Sequence, residues 1–141
     1  MSIKTKVTPR KNNNQKSKKY ILIIDDDPAF IRLLKNYLVV DDKYEIQHSL
    51  DAETGLTMVK KQKPDLILLD ILLPRMSGID FLKKLRADSK SADVSVLIIS
   101  QLSDVQRISD CAQYKIAGYI VKADTSLEDV TNKIDEILRY S

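Results

Sequence analysis

At 141 residues, 43% of them hydrophobic and 30% charged, the chain has the size and composition of one globular domain with a real hydrophobic core. No apolar run approaches the roughly 20 residues that span a bilayer, and the charged N-terminal stretch lacks the apolar segment of a signal peptide. One cysteine, Cys111, excludes an internal disulfide and a cysteine-based zinc site, and it fits a reducing cytoplasm.

The net charge of +3 is unevenly spread. Residues 1–19 hold Lys4, Lys6, Arg10, Lys11, Lys16, Lys18 and Lys19 and no acid, so the remainder carries −4. This polar, Asn/Lys-rich stretch has no apolar period and reads as a disordered basic arm over 1–19, ahead of a mildly acidic domain at 20–141. Most arms of this kind are solvated tails. Its cations also suit nucleic acid, anionic lipid or an acidic protein, but neither interleaved aromatics nor a helix-turn-helix segment accompanies them.

From Tyr20 onward, short apolar runs alternate with segments of helical period. Tyr20–Ile24 is a near-continuous apolar run, as expected of a parallel strand buried on both faces. Asp27 is placed to cap the next helix, with Pro28 at its first position, where a missing N–H costs nothing. Ile31, Leu34 and Leu38 line one face of that helix. Tyr44–His48 is a shorter, alternating strand suited to a sheet edge. Ala52, Leu56 and Val59 stripe a second helix, stopped by Pro64. Leu66–Leu69 reads as a third strand, and Ile79, Leu82 and Leu85 serve a third helix. Val94–Ile99 is a fourth strand, followed by a helix from about Ser103 to Tyr114 with Val105, Ile108 and Ala112 inward. Tyr119–Val121 is the fifth strand, again a near-continuous apolar run of the kind expected to be buried on both faces. Ser126 with Asp129 resembles a capping box, and Val130, Ile134, Ile137 and Leu138 stripe the last helix. Strict alternation of five strands and five helices predicts a parallel sheet covered on both faces, most commonly in the order 2-1-3-4-5, with ligands at the carboxyl edge.

That edge collects the polar residues. The first strand ends at Asp25-Asp26-Asp27, the third at Asp70, the fourth at Ser100 and the fifth at Lys122. Carboxylates gathered in one place repel each other and call for a cation. Hard oxygen donors suit Mg²⁺, which keeps part of its water shell and shares phosphate oxygens. With an ammonium and a hydroxyl opposite, the set matches a phosphoryl group, whose transfer depends mainly on positioning and charge neutralisation. One carboxylate would serve as nucleophile and form an aspartyl phosphate.

Asp25-Asp26 after an apolar strand, Asp70 in LILLDILLPRMSG, Ser100 in VLIIS and Lys122 in AGYIVK together resemble the signature of response-regulator receiver domains of two-component signalling, of the chemotaxis-regulator type, over about residues 20–140. The resemblance implies a flavodoxin-like (βα)5 three-layer α/β sandwich. It implies Asp70 as phosphoacceptor and metal ligand, Asp26 as a direct Mg²⁺ ligand, Asp25 as a ligand mostly through water, and the backbone carbonyl of Leu72 as the last protein ligand, with Mn²⁺ able to substitute. Ser100 and Lys122 would bind phosphoryl oxygens. Ser100 and Tyr119 would form the switch, Tyr119 turning inward as Ser100 moves toward the phosphoryl group. Gly78 follows the Pro74 turn as the family pattern requires. A sensor histidine kinase or histidine phosphotransfer protein would be the donor, and a downstream protein would dock on the fourth helix, fifth strand and fifth helix. No separate substrate turnover is implied, and nucleic acid is not expected beyond the arm.

Several positions depart from the family pattern. Lys122 is followed by Ala123 in place of the usual proline; a cis bond there costs about 2.5–4 kcal/mol, so the loop is either trans and reshaped or strained. Gln101 replaces a small residue beside Ser100 and is long enough to cover part of the pocket. Leu72 and Leu102 stand where polar side chains orient an attacking water, which leucine cannot do. A long-lived phosphoryl state is therefore expected. The sole histidine, His48, reads as an exposed strand end, and Cys111 as a packing residue. Two rival functions remain at this level. One is an unphosphorylated pseudo-receiver that only binds proteins. The other is a haloacid-dehalogenase-type phosphohydrolase using Asp25 as nucleophile and Asp27 as its companion, opposed by Pro28-Ala29, by the lack of an acidic pair after the fourth strand and by the lack of room for a cap. A flavin-binding flavodoxin lacks its Ser/Thr/Gly-rich loop.

Overall fold

A computed structural model describes residues 18–139. The sequence-predicted arm at 1–19 therefore lies outside the described residues except for Lys18 and Lys19. Five strands alternate with five helices: β1 (Lys19–Ile24), α1 (Pro28–Leu38), β2 (Tyr44–Ser49), α2 (Ala52–Lys61), β3 (Leu66–Leu69), α3 (Gly78–Ala87), β4 (Ser95–Ser100), α4 (Val105–Ala112), β5 (Gly118–Val121) and α5 (Leu127–Arg139). All pairings are parallel, and the strand order is β2-β1-β3-β4-β5. This is the predicted 2-1-3-4-5 arrangement, the flavodoxin-like α/β sandwich.

Alternation along the strands sends side chains to two separate cores. Leu22, Ile24, Ile67, Leu69, Val96 and Ile98 face α2, α3 and α4, where Ala52, Val59, Phe81, Leu82 and Cys111 meet them. Ile21, Ile23, Leu66, Leu68, Leu97 and Ile99 face α1 and α5, against Ile31, Leu34, Leu38, Val130, Ile134 and Leu138. Each such side chain, fully buried, contributes about 1.5–3 kcal/mol. That is why residues 21–24, 66–69 and 96–99 of the three central strands are apolar throughout. Among the described residues no helix is long and apolar enough to cross a membrane.

Side chains set the helix starts. The Asp27 carboxylate accepts from Ala29 N–H at 3.0 Å with Pro28 in the first turn, as expected. Asp51, Ser77 and Asp104 cap α2, α3 and α4 in the same way. Ser126 Oγ accepts from Asp129 N–H at 3.1 Å, the first half of the anticipated box.

Three expectations are corrected. β1 begins one residue inside the anticipated arm, because Lys19 pairs with Tyr44 of β2. β5 is only half-buried along its length, not enclosed on both faces, because it is the sheet edge beyond β4. The fourth helix is shorter than predicted, and its inward face differs. Val105 is 81% exposed and Ala112 is exposed, while Cys111 is wholly buried and Ile108 half-buried. A short helix touching the core over one turn needs one anchor, and the stripe chosen from apolarity alone was rotated away from it.

Candidate functional site

Order reverses between β1 and β3: β1 leads out to β2 on one side and β3 begins the run on the other. A crevice at such a reversal is where open α/β sheets bind ligands. Asp25 and Asp70 are the residues that leave the sheet there. Asp70 N–H still bonds to the Ile24 carbonyl at 2.9 Å, and Asp25 N–H to the Ser49 carbonyl at 3.1 Å, so both Cα positions are held by the sheet itself. One oxygen of Asp25 accepts from Asp27 N–H at 2.9 Å, and one of Asp70 from Leu72 N–H at 3.1 Å. Each carboxylate is thereby aimed by its own loop.

Ligand oxygens from Asp25, Asp26 and Asp70 lie within 4.8 Å of one another, with Asp25 and Asp70 buried and Asp26 exposed. This donor set, all carboxylate oxygen and partly open to water, fits a hard divalent cation that keeps some of its hydration, and the three acids could hold such a metal. Opposite them, Lys122 leaves β5 at the start of a 3₁₀ turn (Lys122–Asp124). Its Nζ lies 2.8 Å from Asp25 Oδ2 and 3.5 Å from Asp70 Oδ2, with the lysine side chain 9% exposed.

Burial pushes the Asp25 carboxyl above its ordinary range, an effect that its bonds to Lys122 and the Asp27 amide offset only in part. For Lys122, burial alone would lower the ammonium, but Asp25 and Asp70 outweigh it and hold it above its usual value. A charge is thus kept on the lysine in a poorly solvated place. All peptide bonds among the described residues are trans, the Lys122–Ala123 bond included, and the loop delivers the ammonium to the acids.

Ser100 ends β4, fully buried, with Oγ accepting from Leu102 N–H at 3.2 Å. Tyr119 on β5 is half-buried against the α2/α3/α4 core, and its hydroxyl donates to the Leu102 carbonyl at 2.7 Å. Leu72 is 52% exposed beside Asp70, and Gln101 is exposed. His48 is exposed at the end of β2, its Nδ1 2.6 Å from Lys35 Nζ, away from the acids. Burial of the ring, then the neighbouring Lys35 charge, hold the His48 imidazole below its usual value.

The loop between β3 and α3 is closed tightly. Gly78 N–H and Leu73 N–H both bond to the Ile71 carbonyl, at 2.9 and 3.1 Å. A Cβ at Gly78 would stand 2.4 Å from the Asp70 carbonyl oxygen, so glycine is required for α3 to start against the strand that carries Asp70. Arg75 takes a left-handed φ of 65° at the tip, where Asp51 and Glu53 of the α2 start hold its guanidinium at 3.4 and 3.3 Å.

Two further residues escaped sequence reasoning. The Phe30 ring lies under the Lys122 ammonium, 4.3 Å from centroid to Nζ. Arg86 spans α3, the entry to β4 and the α4–β5 loop, donating to the carbonyls of Tyr114, Val94, Ala92 and Lys115 at 2.8, 2.7, 3.0 and 3.3 Å. Neither carries a local signal. Each looks like an ordinary helix residue until its distant partner is known.

A doubly wound parallel sheet with clustered acids and a lysine at its switch point belongs to the class of open α/β domains that bind ligands at the carboxyl edge of the sheet. Comparison with known proteins makes this specific. Residues 21–135 match the response regulator receiver domain family, and the chain belongs to that family. It is 36% identical over 113 residues to chemotaxis protein CheY-3 of Vibrio cholerae, covering 80% of this chain and 86% of that one. It is 34% identical over 121 residues to the DNA-binding dual master transcriptional regulator RpaA of Synechocystis, covering 82% of this chain; it spans about half of RpaA, 47%. Among solved structures, the receiver domain protein (CheY-like) of Methanospirillum hungatei superposes with a TM-score of 0.80 at 27% identity, covering 88% of this chain and 96% of that one. The protein is a receiver domain of two-component response regulators.

Proposed function

We propose that residues 20–141 act as a phosphorylation switch that accepts a phosphoryl group on Asp70 with Mg²⁺, the basic arm at 1–19 being an accessory to it. The observation that carries this reading is the convergence of Asp25, Asp26 and Asp70 within 4.8 Å, with the Lys122 ammonium against two of them. Asp25, Asp26, Asp70 and the backbone carbonyl of Leu72 would hold the cation, which, when bound, neutralises charge on the transferring phosphoryl oxygens. Mn²⁺ would substitute.

In the transfer, an Asp70 carboxylate oxygen bonds to phosphorus as the bond to the donor's imidazole nitrogen breaks, and the electron pair leaves with the imidazole. Lys122 donates to a phosphoryl oxygen and keeps its proton. Ser100 donates its hydroxyl to another. Ser100 and Tyr119 then form the switch: the tyrosine hydroxyl already bonds to the Leu102 carbonyl, two residues from Ser100, so a shift of that segment moves both. A two-state response of α4, β5 and α5 would alter which downstream protein docks there.

The donor is a sensor histidine kinase or histidine phosphotransfer protein, encountered in the cytoplasm. The chain turns over no separate substrate. Nucleic acid would be met only through the arm.

Incubation with acetyl phosphate and Mg²⁺, followed by mass mapping, tests the reading. One phosphoryl group on Asp70, lost in Asp70→Asn, is expected. No uptake with or without metal favours the pseudo-receiver, and label on Asp25 that survives Asp70→Asn favours the phosphohydrolase.

A further inference from the structure

Lysine has three N–H donors and no acceptor, and its four-carbon stem sets no direction of its own. At Lys122 the acids account for two contacts, at 2.8 Å to Asp25 and at 3.5 Å to Asp70. The ammonium also lies over the face of Phe30, 4.3 Å from the ring centroid. Phe30 sits in the first turn of α1, three residues after the capping Asp27, and is packed against the α1/α5 core. In the turn that launches Lys122, the next two residues, Ala123 and Asp124, are exposed. The backbone there gives the side chain little guidance, so its partners must aim it.

We propose that Phe30 is a positioning residue whose ring face holds the Lys122 ammonium at the acidic rim and lets it pass from Asp25 to an oxygen of the phosphoryl group on Asp70. This rests on the phosphoacceptor reading. The physical reason lies in the shape of the attraction. A carboxylate contact is short and directional and draws the ammonium onto Asp25. The negative face of an aromatic ring attracts a cation over a broad area, so the ammonium slides across it while staying shielded from water. With Lys122 9% exposed, the contact belongs to the poorly solvated and therefore stronger kind. Leucine would fill similar space without the ring's quadrupole, and tyrosine would keep it.

The test uses the full chain with Mg²⁺ and a sub-saturating concentration of acetyl phosphate, comparing wild type, Phe30→Leu and Phe30→Tyr. A small donor has no protein surface, so a slower rate cannot be a lost docking contact. In this reaction an Asp70 oxygen bonds to phosphorus while the phosphorus–oxygen bond to acetate breaks, and acetate leaves with the electron pair. Uptake is followed by intact mass. The ¹H–¹³C shifts of the Lys122 ε-methylene, moved upfield by a ring beneath it, are read on the same samples.

Phe30→Leu is expected to lose the upfield shift and to react about three- to tenfold more slowly, with Phe30→Tyr restoring both. An unshifted Lys122 methylene in wild type overturns the assignment. So does Phe30→Leu reacting at the wild-type rate, or Phe30→Tyr as slow as Phe30→Leu, which marks a packing role. A wild-type protein inert to acetyl phosphate overturns the phosphoacceptor reading and this assignment with it, and the methylene shift, which needs no phosphoryl transfer, then shows that the ring contact itself was present.

Discussion

Gly78→Ala is the substitution for which the structure yields the most definite energy. The new Cβ would meet the Asp70 carbonyl oxygen at 2.4 Å and the Ile71 Cα at 2.7 Å, both backbone atoms. To reach the 3.0 Å that real Cβ atoms keep, the α3 start and the end of β3 must part by about 0.6 Å. They are not free to do so, because Gly78 N–H is bonded to the Ile71 carbonyl at 2.9 Å and Asp70 N–H to Ile24 at 2.9 Å. Overpacking of this kind costs about 1–3 kcal/mol. Alanine recovers up to about 1 kcal/mol of helix propensity in a helix interior, but less at a first helical residue such as this one. A net loss of about 1–2 kcal/mol follows, which at a urea slope of about 1–3 kcal/mol/M lowers the unfolding midpoint by roughly 1 M. Because Asp70 is the residue pushed, phosphoryl uptake should fall as well. Gly55→Ala is the control: its Cβ meets the Ile24 Cδ1 at 2.6 Å, the tip of a side chain that can turn, so the loss should be smaller. A Gly78→Ala midpoint at or above that of wild type, at unchanged slope, would refute the reasoning.

Arg86→Met removes donors from four carbonyls at once and should cost about 2–4 kcal/mol in urea unfolding, with Arg86→Lys recovering less than half, since an ammonium cannot fork to separate acceptors. The Asp51 carboxyl is held below its ordinary value by the Thr54 N–H it caps. Its folded pKa being depressed, its stabilisation is complete above the unfolded value and fades as pH falls through the folded one. Asp51→Ala should therefore cost about 1 kcal/mol at pH 7 and less in acid; an equal penalty at both pH values would contradict this. Cys111, its thiol pushed up to about 11 by burial, should resist iodoacetamide at pH 8 until urea unfolds the chain, and labelling of the native protein at the rate of a free thiol would count against its packing role. Leu72→Asn should shorten the life of the phosphoryl state by supplying a polar group beside Asp70, and equal lifetimes in the two proteins would end the idea that leucine protects it.

Much of this molecule is written in local pattern. The apolar runs at 20–24 and 66–69 announce strands enclosed on both faces, and Asp27-Pro28 and Ser126 announce helix starts, because capping and burial depend on near neighbours in the chain. The placement of Asp25, Asp26, Asp70, Ser100 and Lys122 at strand ends was legible for the same reason, since strand ends can be counted and a parallel sheet puts them at one edge. Tertiary structure decided what needed a partner far away. The inward face of α4 turned on Cys111, not on Val105, because one buried contact outweighs apolarity on a short helix. Lys19 joined the sheet through Tyr44, and Arg86 found four carbonyls in two distant segments. Phe30 met Lys122 across 92 positions of chain. Hydrogen-bond and charge geometry act over a few ångströms in space, and only the folded chain sets which distant residues come that close.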